Sequence, residues 1–239
     1  MKNILFNTAF VLGVVLIIGC KKKEETPEPA TPNTPTQGVP NTPITDIDGN
    51  IYQTVTIGTQ VWMAENLKTT KYRNGDLIGT TTPTTKDIST ETNPKYQWAC
   101  NGNDDSVSVY GRLYTWYAAT DSRNVCPLGW HIPTSTEWTT LINYLGGASI
   151  AGGRMKATGT THWQSPNTGA DNFSGFAALP AGGRYFDGTF GHFSYYAQWW
   201  SATEDPVYGI SRDIIWSSGG TYGSCTGKTI CFSIRCVKD

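Results

Sequence analysis

Hydropathy divides the chain into three stretches before any motif is considered. After Met1, Lys2 and Asn3, residues Ile4–Gly19 are almost unbroken in apolar character, which suits an export-signal core and is short for a spanning helix. From Thr26 to Thr45 the pattern inverts to Pro, Thr and Asn with almost no large apolar side chain, so this stretch buries too little surface to fold. Beyond Asp46 short periodic segments begin. Ile51–Gly58 alternates polar and β-branched residues and Thr59–Trp62 resumes the alternation after Gly58, which predicts an opening hairpin. Tyr110–Ala119 carries apolar residues at helical spacing. Ser135–Leu145 is the stronger helix: Thr134 or Ser135 caps it, Glu137 lies in its first turn, Trp138, Leu141, Ile142 and Leu145 share a face, and Gly146 and Gly147 stop it. After Gly146 the pattern predicts short strands and Gly-rich loops with no further helix.

Composition sharpens this picture. All nine Trp and all twelve Tyr lie beyond Asp46, among 26 Gly and only 15% charged residues, so one aromatic-rich domain over residues 46–239 is expected. That composition describes a turn-rich, mostly β or irregular fold and rules out long helices. A net charge of −1 leaves no electrostatic footprint for nucleic acid. Asp46, Asp48 and Asn50 have the spacing of the first ligands of a calcium loop, but Ile57 stands where the bidentate Glu belongs, so the segment is read as a turn.

The apolar run ends in Ile17, Ile18, Gly19 and Cys20, which resembles the bacterial lipobox. That resemblance implies removal of residues 1–19 and diacylation of Cys20; at about 0.8 kcal/mol per buried methylene, two or three acyl chains anchor a protein durably. Lys21, Lys22, Lys23, Glu24 and Glu25 resemble the sorting signal of lipoproteins of the Bacteroidetes type, and a solvated charged tether accounts for them equally well. The expectation is a lipid-anchored, monomeric protein of the outer membrane facing the exterior, on a Pro/Thr-rich tether over residues 20–45 that reaches roughly 80 Å.

Six ordered segments then carry a family resemblance: VWMAENL (61–67), YGRLYTW (110–116), CPLGWHIPTSTEW (126–138), GFAALP (175–180), WWSAT (199–203) and FSIRCVKD (232–239). Together they resemble the Fibrobacter succinogenes major paralogous domain. The resemblance implies an α+β, C-type-lectin-like fold of the sulfatase-modifying-factor kind, two helices around a small twisted antiparallel sheet with long irregular Gly- and aromatic-rich loops. It also implies the long disulfide of such domains, here between Cys126 and Cys236; in the chain-entropy model a loop of that length is worth about 4 to 5 kcal/mol.

With Cys20 lipidated, five cysteines remain. Cys225 and Cys231 are close enough in sequence to bridge a hairpin, which leaves Cys100 alone. The competing reading of that pair is catalytic: the formylglycine-generating enzyme, on the same fold, uses two closely spaced cysteines near its C-terminus to bind copper. Here the spacing is one residue longer and Lys228 is the sole nearby cation, so the pattern does not transfer cleanly. His131, His162 and His192 show no metal-ligand spacing, and no phosphate loop, nucleophile elbow or carboxylate pair is visible. The sugar motifs of calcium-dependent lectins are absent too. The expectation is therefore a non-enzyme without cofactor or metal.

The candidate binding segment is 205–227. Asp205–Ile215 and Ser217–Gly227 contain no Lys, Glu, Gln, Met or Trp, the signature of Asn codons randomised by a diversity-generating retroelement. A Gly- and Ser-rich β region gives the same composition. Tyr, Ser and Gly are also what paratopes use. Exposed loops carrying Tyr208, Ser211, Arg212, Asp213, Ser217, Ser218, Tyr222 and Ser224 are expected to touch a protein or glycan ligand, with Tyr195 and Tyr196 alongside and Trp199, Trp200 and Trp216 beneath.

Overall fold

The computed structural model describes residues 34–239. The signal-like run, Cys20 and the charged start of the tether lie outside the described residues. The strands in chain order are β1 (Val39–Thr45), β2 (Ile51–Ile57), β3 (Gln60–Met63), β4 (Gln97–Ala99), β5 (Arg112–Thr115), β6 (Trp130–His131), β7 (Gly183–Arg184), β8 (Phe190–Gly191), β9 (Tyr196–Glu204), β10 (Tyr208–Ile215), β11 (Thr221–Gly227), β12 (Cys231–Phe232) and β13 (Val237–Lys238). The helices are α1 (Val107–Tyr110), α2 (Trp116–Ala119), α3 (Ser135–Tyr144) and α4 (Ala151–Met155). The strands form three sheets, β1-β2-β3-β13-β6, β4-β5-β12-β7-β8 and β11-β10-β9, with antiparallel ladders throughout. The class is α+β and mainly β.

The opening hairpin forms as its alternation predicts: β2 pairs with β3 around Gly58, whose φ of +61° suits glycine. The turn before it is locked by Asp46, whose Oδ1 accepts from Asp48 N and Asn50 N at 2.9 Å and whose Oδ2 accepts from Tyr52 Oη at 2.5 Å. These carboxylate oxygens hold the turn's own donors. One boundary differs from expectation. Residues 39–45, assigned to the disordered tether, form β1 on β2. Pro40 and Pro43 are tolerated because β1 is an edge strand, and Ile44 packs against the core.

The helical spacing of Tyr110–Ala119 misleads. Gly111 at φ +74° ends α1, Arg112–Thr115 extends as β5 between β4 and β12, and Thr115 then caps α2 by accepting from Ala118 N. Strand partners on both sides outweigh local periodicity there. α3 forms as expected; of the two candidate caps it is Thr134 that serves, in a capping box with Glu137, and Gly146 and Gly147 follow at φ +94° and +93°. α4 is a helix the sequence hid, because Gly152 and Gly153 are poor helix formers. Both are dictated by close approach: a Cβ at Gly152 would collide with Gly220 O, and one at Gly153 with Gly169 O.

The last strand inserts between β3 and β6, and the Cys126–Cys236 disulfide spans 110 residues to fasten it. The core is aromatic: Trp62 and Trp138 lie 4.8 Å apart, and Phe176 meets Trp199 edge-on at 5.5 Å. Between Phe176 and Trp199 sits Arg235, fully buried, with its Cζ 4.0 Å from the centre of the Phe176 ring. Arg235 donates to Asn66 Oδ1 at 2.9 and 3.2 Å and to Phe176 O. Asn66 also accepts from Trp199 Nε1 at 2.9 Å and donates to Tyr110 O, so one amide joins four segments.

Candidate functional site

Residues 205–227 are a hairpin rather than loops. β10 is the central strand of its sheet, paired in register with β11 from Tyr208↔Gly227 to Ile214↔Thr221, and with β9 on its other side. Among the described residues β11 is an edge strand. The turn between β10 and β11 rests on α4 and the loop before it: Gly153 N donates to Gly219 O at 2.8 Å and Thr221 N to Ala148 O at 2.8 Å. Beneath it lies Lys156, fully buried, whose Nζ donates to Thr168 O, Ser218 O and Ile215 O at 2.8, 3.0 and 3.2 Å. All three ammonium donors are thereby used on carbonyls. Burial pulls the Lys156 ammonium down to about 8.

Burial sorts the eight expected contact residues. Ser217 and Tyr222 are exposed; Tyr208, Arg212, Ser218 and Ser224 are half-buried. Ser211 and Asp213, expected at the surface, are 0% and 6% exposed. They point to the inner face of β10 with Gly209, which packs against Trp200 and Trp116. Asp213 accepts from Ser211 Oγ at 2.9 Å and from Ser224 Oγ at 2.5 Å. Burial pushes its carboxyl above the usual range, against hydrogen bonds from Ser224, Ser211 and Gln198 that act in the opposite sense. Asp213 therefore ties β10 to β11.

The accessible groups form two patches, Tyr222 on the sheet face of its partner Asp213 and Arg212 on the other. At the turn, Tyr222 Oη donates to Ser218 Oγ at 2.9 Å, Ser218 Oγ accepts from Gly220 N at 3.0 Å, and Tyr195 meets Trp216 edge-on at 6.0 Å. Further along, Arg212 lies across its cross-strand partner Gly223, where a Cβ would collide with Nη1. Its Nε is buried without a hydrogen-bond partner, and burial lowers the guanidinium from its usual range. Tyr196 begins β9 opposite Ile215 and stacks on His192 at 4.6 Å. Trp199 and Trp200 are core residues as expected. Sequence reasoning missed Lys156; it stands two residues after Arg154 among the small and apolar residues of 150–160, and nothing local marks it as buried.

Of the cysteine expectations, the Cys126–Cys236 bridge is present. The Cys225–Cys231 bridge is not: Cys231 is a free thiol, fully buried on β12 between β5 and β7, with Arg184 opposite it. Burial pushes its thiol up to about 12, and that of Cys100, also free and buried, up to about 12. Such thiols are protonated at neutral pH. Among the described residues no group of three or more His, Cys, Asp or Glu is arranged to hold a metal. His131 is hydrogen-bonded through both ring nitrogens, to Asp239 at 2.6 Å and Glu137 at 2.8 Å.

Residues 55–238 match the model of the Fibrobacter succinogenes major domain family. No curated protein and no solved structure matches the chain.

Proposed function

The chain belongs to the Fibrobacter succinogenes major domain family, and from that premise we propose that it is a lipid-anchored outer-membrane protein facing the cell exterior, whose domain binds a protein or glycan ligand without chemistry. The observation that carries this reading is the pairing of exposed Tyr and Ser groups with a turn tied from below by Lys156. Side chains held on a fixed frame lose little freedom when they meet a partner. The contact set narrows to Tyr208, Arg212, Ser217, Ser218 and Tyr222, since Ser211, Asp213 and Ser224 serve the frame. A retroelement-diversified segment then varies chiefly on this accessible set, because a large side chain at 209, 211 or 213 would have to enter the core. A C-type-lectin-like fold is part of the same proposal. It is supported by the Cys126–Cys236 bridge and by the return of the C-terminus between β3 and β6. The oxidase reading needs Cys225 and Cys231 as paired, activated thiols, and the fully buried, high-pKa Cys231 speaks against it.

Two experiments test the anchoring. Metabolic labelling with a fatty-acid analogue tags the wild type and not Cys20→Ala, and protease shaving of intact cells removes the domain; full protection sinks the outward-facing assignment. For diversification, the decisive observation is a near-copy of codons 205–227 beside a reverse-transcriptase gene, differing only at adenines. Absence of a template leaves an ordinary invariant binding domain.

A further inference from the structure

A second site, sharing no residue with the hairpin face, lies at the sheet β4-β5-β12-β7-β8. A half-open cavity of about 350 Å³ is bounded there by the loop 80–84, by β4 and β5, and by the short turn that carries Asp104. The loop is fastened at three points. Gln97 N donates to Gly79 O at 2.8 Å, Trp98 Nε1 donates to Thr81 Oγ1 at 3.0 Å, and the Arg184 guanidinium donates twice to Thr84 O at 3.0 and 2.8 Å. The cavity wall is thus built before any ligand arrives.

The groups lining it are polar, and several have no partner of their own. Arg112 Nη1 donates to Gln97 Oε1 at 2.9 Å, which fixes the orientation of that amide and leaves Gln97 Nε2 without a hydrogen bond among the described residues. Arg112 Nη2 reaches Asp104 Oδ1 only at 3.4 Å, and Asp104 is 86% exposed. Arg112 Nε is buried and unpaired. The hydroxyls of Thr80, Thr82 and Thr84 make no hydrogen bond within the described residues, although Thr81 beside them is used twice. Donors, one carboxylate acceptor and three amphoteric hydroxyls therefore face one small space.

Charge and shape select among ligand classes. Arg112 is the cavity's cation and Asp104 its anion, so no surplus positive charge awaits a phosphate or carboxylate. An apolar ligand would strip water from the threonines and return nothing. The face of Trp98 is covered by Arg184 at 3.9 Å, so the cavity has no free aromatic platform and must recognise by hydrogen bonds. We propose that this cavity binds a neutral saccharide of about one or two rings, whose hydroxyls both donate and accept; the volume sits near the lower end of the roughly 300–1,000 Å³ usual for ligand sites. Without stacking, the affinity is in the range of about 1–10 mM.

The test follows the threonine methyl resonances of the full chain in detergent micelles while cellobiose, methyl mannoside and, as an anionic comparator, glucuronate are added. The expected result is saturable movement of the Thr80, Thr82 and Thr84 signals with at least one neutral sugar. Thr82→Val/Thr84→Val, two exposed substitutions that leave the fold in place, weakens that binding roughly tenfold. The proposal is overturned if neither neutral sugar moves these signals, if glucuronate alone moves them, or if the double variant binds as the wild type does. None of these outcomes bears on the hairpin face, whose residues serve as the internal reference.

Discussion

Two arginines, Arg235 and Arg212, occupy opposite situations although both stand in β-rich, aromatic surroundings. Arg235 is wholly inside, stacked on Phe176 and hydrogen-bonded to Asn66 and to a main-chain carbonyl, with no carboxylate in hydrogen-bond contact among the described residues. Burial pulls it down to about 9. Arg212 is half-buried on β10, lies over a glycine, and has an Nε with no partner. The first guanidinium has been absorbed by the fold, whereas the second still has donors to offer. A buried charge without a counter-charge survives only where polar groups replace its hydration, and Asn66 is the group that does so for Arg235.

The largest expected effect comes from removing that support. Asn66→Ala leaves the Arg235 charge and Trp199 Nε1 without their shared acceptor, and should cost about 3–5 kcal/mol in denaturant unfolding. Arg235→Met should cost less, about 1–2 kcal/mol, because the charge leaves with its desolvation burden. If Arg235→Met proves the more damaging, the arginine contributes mainly by packing, and the hub assignment of Asn66 fails.

The same contrast explains what could be read from the sequence. The opening hairpin, α3 with its caps and the long disulfide followed from local signals or from the six ordered motifs. Those signals state what neighbouring residues prefer. They failed where distant strands decide: Arg112–Thr115 becomes a strand because β4 and β12 flank it, and the proline-rich 39–45 becomes β1 because β2 offers an edge. The proposed contact segment was located by composition, but which of its residues stay accessible depends on packing against other segments, and Ser211 and Asp213 are buried. Lys156 and the saccharide-sized cavity depend on contacts between segments far apart in the chain, so no local pattern announces them.

Lys156 stands between the two arginines: it is buried like Arg235, yet it serves the face that carries Arg212. Lys156→Met strands the carbonyls of Thr168, Ile215 and Ser218 and should cost about 1–3 kcal/mol. Its ammonium is lowered to about 8 in the folded chain against an ordinary value near 10.5. Between those values the unfolded chain binds more protons, so wild-type stability gains as pH rises from about 8 to 10. The stability gap between wild type and Lys156→Met should widen over that interval; a gap that narrows would mean that the fold holds the proton on Lys156 more tightly than water does, and would contradict an ammonium lowered by burial.

A smaller effect, of opposite sign in pH, belongs to His131. Burial pulls its pKa down, but the hydrogen bonds with Asp239 and Glu137 together outweigh that and raise it. A raised value means the contribution is fully present below the unfolded value of about 6.5 and is lost as pH rises through the folded one. Because the three groups are partly exposed, screening holds it to about 0.5–1 kcal/mol. His131→Gln should match the wild type in melting at pH 9 and fall below it at pH 5.5.

The smallest expected change in stability is at the proposed contact face, and there a small number is the informative one. Replacing Tyr208, Arg212 and Tyr222 together by Ala removes two half-buried side chains and one that is 45% exposed, none of which belongs to the core clusters. Arg212 gives up no hydrogen bond at Nε, and Tyr222 gives up one to Ser218 at the surface. The summed cost should be about 1 kcal/mol or less, a melting shift of roughly 2–4 °C for a domain of this size. Binding of whatever ligand the wild type retains, from a glycan array or from cell-surface protein, should disappear in the same variant. Aromatic and Arg groups on a preorganised frame carry most of such an interface, while the frame itself, Asp213 with Ser211 and Ser224, is untouched. A drop well beyond that shift would show that these three side chains hold the fold as Arg235 does, and would remove the difference between the two arginines on which the site rests.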